Sequence, residues 1–96
     1  MTSEQVGQAG SALDLIEFPS RFPLKVFGNP NGEFEATVLK LVRARCPEAE
    51  HIEVSRRSSR TGKYVALTLT FTVHSRQQLK DIYQDLYECE HVVMSL

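Results

Sequence analysis

The chain has no tryptophan, only two cysteines and a formal net charge of −1 over 96 residues. Each shortage excludes something. Near-neutrality leaves no global field to draw the molecule to nucleic acid or anionic lipid. No apolar run approaches the roughly 18 residues of a membrane span. The N-terminus lacks the basic patch and apolar core of a signal peptide, so a cytoplasmic setting is expected. Two cysteines can close one bridge, yet Cys46 and Cys89 each end a predicted helix. If those helices run antiparallel, the thiols lie at opposite ends of the domain, far beyond the ~7 Å Cα limit, and both should be free.

What the chain does have is one long, regular strand. From Tyr64 to Val73 the side chains alternate without a slip. Val65, Leu67, Leu69, Phe71 and Val73 point one way, while Tyr64, Ala66, Thr68, Thr70 and Thr72 point the other. Such alternation, rich in β-branched and aromatic residues, predicts a strand with one buried and one half-exposed face. Burying the apolar set contributes on the order of 10 kcal/mol before entropy is charged. With 42% hydrophobic residues in 96, the chain holds one domain with one core.

The remaining elements fall around that strand. Residues 1–14 are polar with little periodicity and read as a mobile tail, leaving 15–96 as a single domain. Residues 22–27 read as a first strand with Phe22, Leu24 and Val26 inward and Lys25 and Phe27 outward. Pro23 is tolerable there if its missing N–H falls outside the ladder. Gly28-Asn29-Pro30-Asn31-Gly32 stops the strand, and Asn31 or Gly32 can cap a helix to about Arg45. Phe34, Val38, Leu41 and Val42 share one face of it, with Glu33 and Glu35 in the first turn and Lys40, Arg43 and Arg45 toward the end. Pro47 disfavours helical geometry at Cys46. A short strand is expected over 51–56 with Ile52 and Val54 inward, then a loop over 57–62. Ser75 and Gln78 form a capping box that opens a second helix. Leu79, Ile82, Tyr83 and Leu86 make its buried stripe, with Asp81, Asp85 and Glu88 on the solvent side. Val92, Val93, Met94 and Leu96 close the chain as a last strand.

The order is βαββαβ. Right-handed crossovers leave a gap in each βαβ unit that the other unit's strand fills. This predicts a ferredoxin-like α+β sandwich: an antiparallel sheet in the order 4-1-3-2, with both helices on one face.

These residues resemble the YbeD-like family of small bacterial proteins. The carriers are Glu17-Phe18-Pro19, the FPLKVFG run from Phe22 to Gly28, Ser58-Ser59-Arg60 before Gly62 and Tyr64, and the closing Val92-Val93-Met94. The resemblance spans about residues 15–96. The chain departs by a longer polar head and an extra residue in the 58–63 loop. The resemblance implies the same sandwich, likened to ACT-type regulatory domains, without an established activity. It also implies a genomic setting near lipoate attachment.

Three surfaces are candidates for function. The open sheet face sets Phe27 and Tyr64, with Lys25, in a threonine surface that can meet a partner, a second copy or a planar ligand. RNA-recognition domains use this face, but Gly62-Lys63-Tyr64-Val65-Ala66-Leu67 keeps one aromatic of their pattern and has Ala66 where a stacking ring is needed. Nucleic acid is therefore disfavoured. The basic hairpin gathers Arg56, Arg57, Arg60 and Lys63, which can hold an anion or an acidic partner; its plainer reading is a solvated loop. Glu88 and Glu90 are expected at the same end, weakening its field. The turn residues Asn29, Asn31 and Gly32 can present backbone N–H groups to an amino-acid effector, as in ACT-type domains. Their plainer reading is a tight turn with an N-cap, and Glu33 and Glu35 would repel a carboxylate.

Cys89-Glu90-His91 offers metal-donor types in succession, but neighbours on a turn point apart. There is no nucleophile–base pairing and no phosphate loop, and Ser75 reads as a cap. The expectation is a cytoplasmic, non-enzymatic binding module without a cofactor. Its partner is a protein met through the open face and basic hairpin, or a second copy. The alternative is an ACT-like sensor completing a small-molecule site by dimerisation, with single-stranded RNA binding third.

Overall fold

The strand at the centre of the sequence is also the centre of the sheet. The computed structural model describes residues 16–47 and 51–96. The expected tail at 1–14 lies outside the described residues. The elements are β1 (Ser20–Gly28), α1 (Gly32–Arg45), β2 (Glu53–Ser58), β3 (Val65–Val73), α2 (Arg76–Glu88) and β4 (Val92–Ser95). The sheet order is β2-β3-β1-β4, and every pairing is antiparallel.

The alternation in β3 settles which face the helices cover. Leu67, Leu69, Phe71 and Val73 are fully buried, together with Leu24 and Val26 of β1. Phe34, Val38 and Val42 of α1 and Leu79, Ile82 and Leu86 of α2 complete the core from the other layer. Thr68, Thr70 and Thr72 lie on the opposite, open face and stay half-exposed. The ferredoxin-like α+β sandwich read from the sequence is the observed fold.

Both helices start on side-chain caps. Asn31 accepts the Phe34 N–H at 3.1 Å, and Ser75 accepts that of Gln78 at 3.1 Å. The second half of the Ser75 capping box differs from expectation. Gln78 Oε1 takes the N–H of His74, one residue earlier than the cap, at 2.8 Å. Its Nε2 meanwhile donates to the Arg45 carbonyl at 2.9 Å, tying the start of α2 to the end of α1. The helices are thus antiparallel, and Cys46 and Cys89, which form no disulfide, follow the C-terminal ends of α1 and α2.

Several boundaries move. β1 is longer than expected and keeps Pro23 inside it, paired with Thr70. Lys25 exchanges backbone bonds with Leu96, so Pro23, two residues before it, also turns its nitrogen toward the β4 side. β4 pairs only from Val26 onward, so Pro23 removes no ladder bond. β2 runs two residues later than expected, which puts Arg57 and Ser58 on a strand instead of in the loop. Asp81 and Asp85 are only partly exposed, at 38% and 19% of their side-chain surface, and are not free in solvent. They flank the inter-helix groove, where Arg45 Nε and Nη2 bond Asp85 at 2.7 and 3.0 Å, and Nη1 lies 3.9 Å from Asp81.

Candidate functional site: a cation-rimmed corner of the open sheet face

Register places one row of side chains across the whole open face. Met94 pairs with Phe27, Phe27 with Ala66, and Ala66 with Arg57. Each step is one strand spacing of about 4.8 Å, so Phe27 and Arg57 stand about 10 Å apart with only a methyl group between them. The small side chain of Ala66 makes a depression. It is a concavity of about 270 Å³, lined by Phe27, Tyr64 and Ala66 on its apolar side and by Arg57, Arg60, Ser58 and Ser59 along its rim.

The hairpin holds the rim in place. Ser59 and Tyr64 close it by a backbone bond of 2.9 Å, and Ser59 Oγ accepts the Tyr64 N–H at 3.1 Å. Gly62 donates to the Ser59 carbonyl at 3.0 Å and takes φ +78°, a left-handed geometry that favours glycine. Arg60 is thereby carried on a defined turn beside Arg57.

The four basic residues grouped by sequence are not one cluster. Arg56 pairs with Leu67, so it faces the helix layer, while Arg57 beside it faces the open side. Arg56 Nε donates to Glu35 Oε1 of α1 at 2.8 Å, and its Nη2 makes a second bond to the same carboxylate. That guanidinium holds Glu35 below the usual carboxylate range. Arg57, Arg60, Lys63 and Lys25 have no carboxylate within ion-pair distance among the described residues. Lys63 is exposed on the hairpin outside the concavity, and Lys25 lies one row down the open face, opposite Thr68.

The acidic residues expected at this end of the domain are at that end but do not line the concavity. Glu88 is on α2, behind the sheet, where it accepts from Gln84 at 2.8 Å. Glu90 lies at the α2–β4 turn, 4.0 Å from His91. The β1–α1 turn is separate from the concavity and partly occupied. The Asn31 side chain is spent on the cap, the Asn29 N–H donates to the His91 carbonyl at 3.3 Å, and Gly32 is exposed. Glu33 lies 3.5 Å from His91 Nε2. Among the described residues, no three His, Cys, Asp or Glu side chains converge as metal ligands. No helix among them is long and apolar enough to cross a membrane.

The fold and this surface define a small ferredoxin-like domain with a bare, cation-rimmed sheet corner. A family model described as "Protein of unknown function (DUF493)" matches residues 14–96. A UPF0250 protein of Chromobacterium violaceum is 47% identical over 73 residues, 76% of this chain and 82% of that protein. Another, from Nitrosomonas europaea, is 39% identical over 82 residues, 85% of this chain and 94% of its own length. The chain therefore belongs to the DUF493 (UPF0250) family, the YbeD-like group of small bacterial proteins, for which no activity is named. The solution structure of protein HP0495 from H. pylori matches with a TM-score of 0.71 at 16% identity, over 84% of this chain and 85% of that one. That likeness carries the fold alone.

Proposed function

We infer that the protein is a non-enzymatic binding module, an adaptor or regulator that holds a protein partner at the open-face corner over Ala66. The observation that carries this reading is the concavity itself: an apolar floor of Phe27, Tyr64 and Ala66 beside Arg57 and Arg60, which have no carboxylate partner among the described residues. An apolar seat with a charged rim is the usual make-up of a recognition surface. Tyr64 is 44% exposed and Met94, next in the row after Phe27, is 50% exposed, so the apolar surface runs on toward β4. The β1–α1 turn supports an ACT-like effector site less well. A carboxylate there would meet Glu33 and Glu35, and two of the polar groups on offer are already bonded. A role beside lipoate attachment is compatible with an adaptor, and the nature of the captured partner tests it.

The experiment is site-specific photo-cross-linking in the native cell. A benzophenone amino acid at Lys63, exposed on the hairpin beside the concavity, should give discrete protein adducts, and Ala66→Leu in the same chain should remove them. Lys80, exposed on α2, is the control position. Adducts from Lys80 with none from Lys63, or adducts indifferent to Ala66→Leu, would overturn the assignment of the corner.

A further inference from the structure

We propose that the occupant of the corner is an acidic segment of a partner protein, in which one apolar side chain is flanked by carboxylates. This deepens the binding reading above and rests on it. Charge complementarity decides the sign. The chain carries a net charge of −1, yet Lys25, Arg57, Arg60 and Lys63 gather around one corner without a carboxylate partner among the described residues. Arg21, Arg45 and Arg56, away from the corner, are all paired, with Glu53, Asp85 and Glu35. Local carboxylates thus neutralise these three guanidinium groups, while those at the corner are left for an incoming anion.

Geometry decides the apolar part. A slot about 10 Å wide, with an alanine floor and a phenylalanine wall, admits one aliphatic or aromatic side chain. Residues on either side of that anchor would then lie over Arg57 and Arg60 on one flank and reach Lys25 one row away. Arginine gives paired, directional bonds to carboxylates. The same chemistry could serve single-stranded nucleic acid, but the face favours protein. Ala66 separates Phe27 from any further ring in its row, and Glu53 sits on the same face, opposite Thr70. A phosphate chain crossing the sheet would meet that carboxylate and find few cations beyond the corner.

The test is an amide-shift titration of the full chain with a capped peptide carrying one phenylalanine between aspartate pairs. A lysine-flanked counterpart and a short oligouridine serve as competing probes. The acidic peptide should shift the amides around Phe27, Tyr64 and Ala66. Its affinity should fall about tenfold or more in Arg57→Glu/Arg60→Glu, and severalfold between about 50 and 500 mM salt. Ala66→Leu should abolish the shifts while the urea midpoint stays near that of the parent chain. Equal binding of the lysine peptide would overturn the acidic occupant and leave the apolar seat standing. Tighter binding of oligouridine would overturn it in favour of nucleic acid. No shift from any probe would also overturn it, and the cross-linking result would separately decide whether the corner binds a protein at all.

Discussion

Gly28 is the residue on which the site's end of the sheet turns. It ends β1 opposite Val92, while its neighbour Phe27 pairs with Met94, so Val93 is the extra residue of a bulge. A Cβ built on Gly28 would come within 2.3 Å of the Phe34 ring and 2.5 Å of the His91 carbonyl oxygen. The ring could turn away only by leaving the core it helps fill, and the carbonyl belongs to backbone that already accepts the Asn29 N–H. Gly28→Ala should therefore destabilise by about 1–3 kcal/mol, read as a lower urea midpoint. Gly32, four residues on, has nothing within 4 Å of the same built atom. Gly32→Ala is the matched control and should leave the midpoint near its parent value. Equal effects from the two would mean that the crowding at Gly28 is not what selects glycine there.

The elements differ in how much of themselves the sequence exposes. β3 was legible in full, because every second side chain is apolar and those are the ones that lie under the helices. Sequence pattern ends β2 two residues early, because Arg56 stands at an inward position and reads as a strand end. On an edge strand the margin of the helix layer lets its guanidinium reach Glu35, 21 residues away, and no local pattern encodes that pairing. The pairing of Asp81 and Asp85 is hidden from local pattern for the same reason, since only the placement of α1 reveals Arg45. For the site, Phe27, Tyr64, Arg57 and Arg60 were readable as open-face and hairpin residues. The sequence shows Ala66 only as a missing ring, because a depression belongs to three strands at once. The start of α2 was readable in part, and it yields a test. Ser75→Ala should cost about 1 kcal/mol through the lost cap. Gln78→Ala should cost about as much, through its bonds to the His74 N–H and the Arg45 carbonyl. If Gln78 acted only as a local cap, the double variant would cost no more than Ser75→Ala alone in urea denaturation.

At the scale of the molecule, two arginine clamps join α1 to its neighbours, and they make stability depend on acid. Arg56–Glu35 ties β2 to the first turn of α1, and Arg45–Asp85 ties the last turn of α1 to α2. In each, the hydrogen-bonded guanidinium is the leading cause that holds the carboxylate below its ordinary value. A carboxylate whose folded value is depressed binds its proton more readily in the unfolded chain. Its contribution is present above the unfolded value, near pH 4, and is lost as pH falls through the lower folded value. Asp85→Asn should thus lower the urea midpoint at pH 7, and the gap from the parent chain should narrow below about pH 4 and close at lower pH. Glu35→Gln should behave the same way. Asp85, 19% exposed against 29% for Glu35, is the less screened and should show the larger gap. The two pairs share no partner and sit at opposite ends of a 14-residue helix, so their effects should add. A gap of constant size from pH 7 to about pH 2.5 would show that the substitutions perturb packing and not the ion pairs.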